Sequence, residues 1–153
     1  MNAARDPILA ALRQQGLKLT PQRLAIVDAL VIRDGHPTVH DIYAAVRPAF
    51  PTMSLATVYN TLHTLARAGV VAELPFATGT RFDRVTTPHV NLVCQRCGDI
   101  VDAHEYSAIL DRLREAVTAR SDFVVSTHRL DFYGLCADCA DCAGGTGEAS
   151  IPA

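Results

Sequence analysis

Four cysteines in two close pairs define the first chemistry in this 153-residue chain: Cys94 with Cys97, and Cys136 with Cys139. A Cys-x-x-Cys spacing places two thiolates on one turn of chain, and two such turns complete a tetrahedral zinc site. All four positions are then filled by sulfur and none is left for water, so the expected zinc is structural rather than catalytic. Redox dithiols and inert core cysteines are the competing readings. Hard donors surround the first pair: His89 and Asn91 before it and Asp102 after it, with His36 and Asp83 upstream. Strand alternation puts His89 and Asn91 on one face, and Ile100, Asp102 and His104 on one face. Two imidazoles with carboxylates and an amide suit Fe(II), Mn(II) or Zn(II), at a site separate from the thiolates. Taken singly, each of these residues reads more simply as structural, Asp83 as a hairpin residue. Only their joint placement points to a metal.

The elements that must position these groups fall into two halves. An apolar helix over 7–16 ends at Gly16. Thr20 caps a second helix with Pro21 at its first position, where the missing N–H costs nothing. Thr38 caps a third helix and Ser54 a fourth, in which Leu55, Val58, Leu62 and Leu65 form a one-sided stripe. Thr57, Asn60, Thr61 and Thr64 are expected to face away from it. Strands at 70–75 and 80–85, joined through Thr78-Gly79, complete a winged helix-turn-helix pattern. Thr86-Thr87-Pro88 reads as a hinge. The second half reads as strand 90–94, a cysteine knuckle, strand 99–103, a helix near 106–119 with Leu110, Leu113 and Val117 on its apolar face, and strand 123–133. The predicted fold is therefore α+β: a winged-helix domain over 1–85, a hinge at 86–88, a small α/β dimerisation and metal-binding domain over 89–142 and a disordered tail over 143–153.

Net charge is −2, which by itself does not mark a nucleic-acid binder. The halves differ, however. Residues 1–85 carry nine Lys/Arg against six Asp/Glu, whereas residues 86–153 carry five against ten. This asymmetry suits a basic binding half and an acidic second half. The helix that starts at Ser54 could be a core element only. Its exposed face, with Thr57, Tyr59 and Asn60, offers short polar groups fit for a major groove. Lys18, the only lysine, and Arg23 stand near a helix start, as solvated surface or as backbone contacts. There is no apolar run of membrane-spanning length and no signal-peptide pattern, so a cytoplasmic location is expected. Five cysteines in a reducing compartment favour metal over disulfides, with Cys142 left over as a dispensable thiol.

Several segments together resemble the ferric uptake regulator family. They are Leu19-Thr20-Pro21-Gln22-Arg23, His36-Pro37-Thr38, Asp41-Ile42-Tyr43, Ser54-Leu55-Ala56-Thr57-Val58-Tyr59-Asn60, Arg81-Phe82-Asp83, Cys94-x-x-Cys97-Gly98 and His128-Arg129-Leu130-Asp131-Phe132-Tyr133-Gly134. The match runs from about residue 8 to 142 in the family's order. It implies a homodimeric, metal-activated repressor of double-stranded operator DNA, with structural zinc and regulatory Fe(II) or Mn(II). Asn60 after Val58-Tyr59, and aspartate at 102, look closest to the peroxide-sensing branch. Carried over position by position, the regulatory site is His36, Asp83, His89, position 91 and Asp102. Position 91 departs from that branch, which usually has histidine where this chain has Asn91. A histidine-rich further site common among relatives leaves only His104 and His128 here.

The expected function is therefore a repressor, not an enzyme, that responds to peroxide by metal-catalysed oxidation of His36 or His89. The runner-up is an iron-, manganese- or zinc-responsive repressor of metal-uptake genes without peroxide sensing. A zinc hydrolase would need an open coordination position beside an acid or base, and His104-Glu105 has the wrong spacing for one. A zinc-stapled adaptor without DNA binding is the remaining class.

Overall fold

Three side chains start the helices that build the first half of the computed structural model, which describes residues 2–33 and 35–141. Thr20 accepts from the Arg23 backbone N–H and begins α2 (Pro21–Ile32). Thr38 and Asp41 form a reciprocal capping box on α3 (Val39–Val46), and Ser54 accepts from Thr57 N–H on α4 (Leu55–Arg67). Each cap satisfies a donor that the first helical turn would otherwise leave open. The first helix, α1 (Asn2–Gln14), starts earlier than its expected position at residue 7. Pro7 lies inside it, close enough to the start that the missing N–H removes one bond without ending the helix.

Three residues of the α4 stripe pack as periodicity predicts: Val58, Leu62 and Leu65 are fully buried with Ile26, Val27, Leu30, Ile42 and Phe82 in one core, whereas Leu55 in the first turn is half-buried and outside it. Thr61, expected on the outer face, is instead buried, and its hydroxyl donates to the Thr57 carbonyl one turn back. That internal bond lets a threonine sit in the core at little cost. The hairpin β1 (Ala72–Phe76) and β2 (Gly79–Asp83) pairs Phe76 with Gly79. Gly79 takes φ +117, a conformation L side chains rarely adopt. The chain divides into two compact units between Thr87 and Pro88.

In the second unit β3 (Val90–Cys94) is the central strand, antiparallel to β4 (Ile100–Ala103) and parallel to β5 (Leu130–Gly134). A short 3-10 turn (His104–Tyr106) leads into α5 (Ser107–Ala119), and α6 (Ala137–Asp141) follows β5. Leu110 packs α5 onto Val90, Ala103 and Leu130. Two expectations need correction here. Leu113 and Val117 are not buried but 52% and 47% exposed, so among the described residues nothing covers the rest of the apolar helix face. The last strand is confined to Leu130–Gly134, because β3 offers paired positions only from Val90 to Cys94. Phe123 and Val124 have strand-forming side chains but no neighbouring edge, and they stand 78% and 94% exposed. Among the described residues no helix is long and apolar enough to cross a membrane. Cys142 and the tail from 143 lie outside the described residues.

Candidate metal centres and DNA-facing helix

The tight knuckle around Cys94 brings the four thiols together. Cys94 N–H donates to Asp99 O at 2.8 Å and Gly98 N–H to Cys94 O at 2.9 Å, with Gly98 at φ +74 closing the turn. Gln95 N–H bonds the Gly134 carbonyl at the end of β5, which delivers Cys136 beside Cys94. The Cys136 N–H then points at Cys94 Sγ at 3.4 Å, and Arg96 donates to the Cys139 carbonyl. As a result the sulfurs of Cys94, Cys97, Cys136 and Cys139 all lie within 4.8 Å of one another, Cys97 and Cys136 at 3.8 Å. Sulfurs bound tetrahedrally at ~2.3 Å from one zinc stand about 3.8 Å apart. The donor set fits that ion. Backbone N–H groups of Cys97 and Cys136 pull the Cys94 thiol down to about 6, while the Cys136 sulfur beside it pushes Cys139 up to about 12. The two ends of the cluster therefore differ in how readily they give thiolate.

The harder donors form one pair in each unit. In the first, the loop before α3 is tied to β2, since Phe82 N–H donates to Pro37 O and Thr38 bridges to Arg81. This sets buried His36 beside buried Asp83, Nε2 to Oδ2 at 3.6 Å, while the other Asp83 oxygen accepts from Val85 N–H. In the second unit His89 Nε2 lies 3.2 Å from Asp102 Oδ1. Nitrogen and oxygen ligands at ~2.1 Å from one divalent ion are separated by about 3.0–3.4 Å. The His89–Asp102 pair has that spacing, and the His36–Asp83 pair stands slightly wider at 3.6 Å.

Asn91 is opposite Asp102 in the β3–β4 register and opposite Asp131 in the β3–β5 register. Its Nδ2 donates to Asp131 Oδ1 at 3.0 Å, and Arg129 holds the same carboxylate. The buried Oδ1 of Asn91 meets no hydrogen-bond donor among the described residues, so an oxygen ligand is what this residue has to offer. Nothing in the residue types announced Asp131 and Arg129 as its supports. They emerge only from the parallel register of β5.

On α4, Tyr59 and Asn60 are exposed, as is Ser54, while Thr57 is half-buried with its hydroxyl 2.9 Å from that of Ser54. Tyr59 stacks on His63 with ring centroids 5.8 Å apart and planes within 5°, and His63 Nδ1 meets Glu73 of β1 at 3.1 Å. Sequence reading passed over His63 and Glu73. The i,i+4 step from Tyr59 to His63 was the available signal. Lys18 is exposed, and Arg23 donates to the Lys18 carbonyl at 2.8 Å.

Comparison with known proteins closes the identification. The model of the ferric uptake regulator family matches residues 14–133. The peroxide operon regulator of Bacillus subtilis is 44% identical over 133 residues, 86% of this chain and 90% of its own length. The peroxide-responsive repressor PerR of Staphylococcus saprophyticus is 42% identical over 134 residues, 87% of this chain and 89% of its own. Among solved structures, the ferric uptake regulator from Pseudomonas aeruginosa with manganese superposes with a TM-score of 0.68 at 28% identity, over 84% of this chain and 96% of that one. On the span of the family match and the depth of these identities, the chain belongs to the ferric uptake regulator family.

Proposed function

We propose that this chain is a metal-dependent, DNA-binding transcriptional repressor that responds to peroxide. The observation that carries the reading is the close pairing of a histidine with an aspartate in each unit, His36 with Asp83 and His89 with Asp102, in a chain more than 40% identical to peroxide-responsive repressors. The zinc held by Cys94, Cys97, Cys136 and Cys139 is structural. The regulatory ion, Fe(II) or Mn(II), takes His36, Asp83, His89, Asp102 and the Asn91 oxygen as ligands. These residues fall on both sides of the Thr87–Pro88 boundary, which lies inside a hinge over 86–88. One ion bound by both sets would restrict the freedom between the units. Less freedom is then lost on binding a two-fold operator, so affinity rises with metal.

The protein acts as a homodimer, with the uncovered apolar side chains of α5 and the sheet as its seam. Winged helices present Tyr59 and Asn60 to base edges, Ser54 and Thr57 to the rim of the groove, and Lys18 and Arg23 to the backbone. An iron(II) ion held by these residues would supply reducing chemistry toward hydrogen peroxide. His36 and His89 are the imidazoles of this set, and either would take one oxygen atom from hydrogen peroxide, with water as the other product, lose its ligand geometry and so release operator DNA. Asp83 and Asp102 hold the two rings in place until then.

DNA binding and mass spectrometry on Fe(II)- and Mn(II)-loaded protein, each with and without peroxide, test this. The iron form should lose the operator and gain one oxygen on a peptide containing His36 or His89, while the manganese form keeps both unchanged. If the iron form retains unmodified histidines and holds DNA after peroxide, the protein is a metal-responsive repressor instead.

A further inference from the structure

We propose that His104 is an additional ligand of the regulatory metal, supplying the imidazole that position 91 does not. The inference rests on the regulatory-metal reading above and concerns the second unit alone. The β3–β4 register pairs Asn91 with Asp102 and ends with Val90 opposite Ala103; His89 and His104 follow at that end, His104 opening the 3-10 turn. Directly opposed residues share a face, as do residues two apart along a strand. One face therefore carries Asn91 and Asp102, with His89 and His104 at its end. The side chains bear this out: the His89 and His104 rings lie 5.0 Å apart, centroid to centroid, tilted by 53°. Both rings address one carboxylate, His89 Nε2 at 3.2 Å from Oδ1 and His104 Nε2 at 3.9 Å from Oδ2.

Two imidazoles around one carboxylate make a three-donor set for a divalent ion of borderline softness: Mn(II), Fe(II), Co(II) or Zn(II). Asn91 cannot replace the missing imidazole. Its nitrogen is committed to Asp131, and an amide oxygen is a poorer donor than imidazole for these ions. The His104 side chain is 57% exposed, so its ring has room to swing the last fraction of an ångström onto a bound ion. A histidine on a solvated edge could also serve only to stack on His89. The two roles separate cleanly, because stacking needs a ring and ligation needs a nitrogen.

The test uses the full chain with its zinc in place, titrated with Co(II), whose visible absorption reports its ligands. The unaltered protein should bind one Co(II) beyond zinc, and His89→Ala should abolish that binding. His104→Ala should weaken it by at least about tenfold, the lower end of what losing even a supporting group costs. His104→Phe, which keeps the stacking ring, should weaken it equally and alter the absorption bands in the same way. The double change Asn91→His with His104→Ala should restore affinity and spectrum. If His104→Ala and His104→Phe bind Co(II) as the unaltered chain does, while His89→Ala does not, His104 is no ligand and the regulatory site stands without it. If the unaltered chain binds no second metal, the regulatory reading falls and this inference with it.

Discussion

The unit ending at Thr87 joins fourteen buried apolar side chains in one cluster, from Ile8 on α1 to Phe82 on β2. The unit beginning at Pro88 has a cluster of three, Val90, Ala103 and Leu110, with Leu130 packed against them. Its large apolar residues are mostly outside: Ile109, Leu113, Val117, Phe123, Val124, Phe132 and Tyr133 are all around half exposed or more. Burial of this kind is what stabilises a small domain, at ~25 cal/mol per Å² of apolar surface. The first unit therefore has the makings of an independent fold. The second needs other sources of stability, and on the proposed reading these are a clamp of zinc bound by the four thiols and a second copy over the apolar face.

Removing the clamp should separate the halves most sharply. Structural zinc contributes on the order of 10 kcal/mol in small domains that fold around it. Cys136→Ser should lose zinc, unfold the β3–β4–β5 sheet and leave a monomer, while the helices of the first unit survive. Circular dichroism and metal content read this together. A Cys136→Ser protein that keeps full zinc and stays dimeric would contradict both the clamp and the contrast drawn from it.

The seam comes next in size. Leu113→Asp places a charge on the uncovered face of α5, twice in a two-fold dimer. It should raise the dimer dissociation constant by about a hundredfold or more, on the order of 3 kcal/mol, read by analytical ultracentrifugation. The same substitution at an exposed position of a self-sufficient unit would do little. An unchanged dimer would mean that a different face is buried.

Periodicity found the α5 stripe of Leu110, Leu113 and Val117 but not what covers it, since an apolar face looks the same whether its cover is the same chain or another. That limit explains most of the differences between sequence and structure. Caps were legible because Thr20, Thr38 and Ser54 act within one turn of themselves. The cysteine cluster was legible because each pair lies on one knuckle. Asn91 with Asp131, and His63 with Glu73, were not, because each contact joins separate elements whose register no local pattern encodes. The tyrosine-histidine-glutamate contact restrains Tyr59 on the exposed side of α4.

DNA recognition tests the first unit on its own terms. Asn60→Ala should cost ~1–3 kcal/mol against the preferred operator and relax its sequence preference, as loss of a bidentate base contact does. Lys18→Ala should weaken all sequences alike and shallow the salt dependence of binding. Electrophoretic shifts at two salt concentrations distinguish the two. Should both changes leave operator binding intact, α4 is a core helix only.

The smallest effect concerns how the first unit responds to acid. The Thr38 backbone N–H and hydroxyl both donate to Asp41 Oδ2, at 2.9 and 2.7 Å, and hold this carboxyl below its ordinary 3.8. The folded chain therefore takes up this proton less readily than the unfolded chain. The contribution is fully present above the unfolded value near 4 and is lost as pH falls through the lowered folded value. Asp41→Asn keeps an acceptor for Thr38 but removes the charge, so the stability of this unit should flatten across that acid window. At pH 7 the loss should stay within ~1 kcal/mol, the usual scale of a helix cap. Thermal unfolding followed at pH 7 and again near pH 3 reads both numbers. If the unaltered protein and Asp41→Asn lose stability in parallel between those values, the acid limb of this unit arises from another carboxylate, and Asp83 beside His36 is the next to replace.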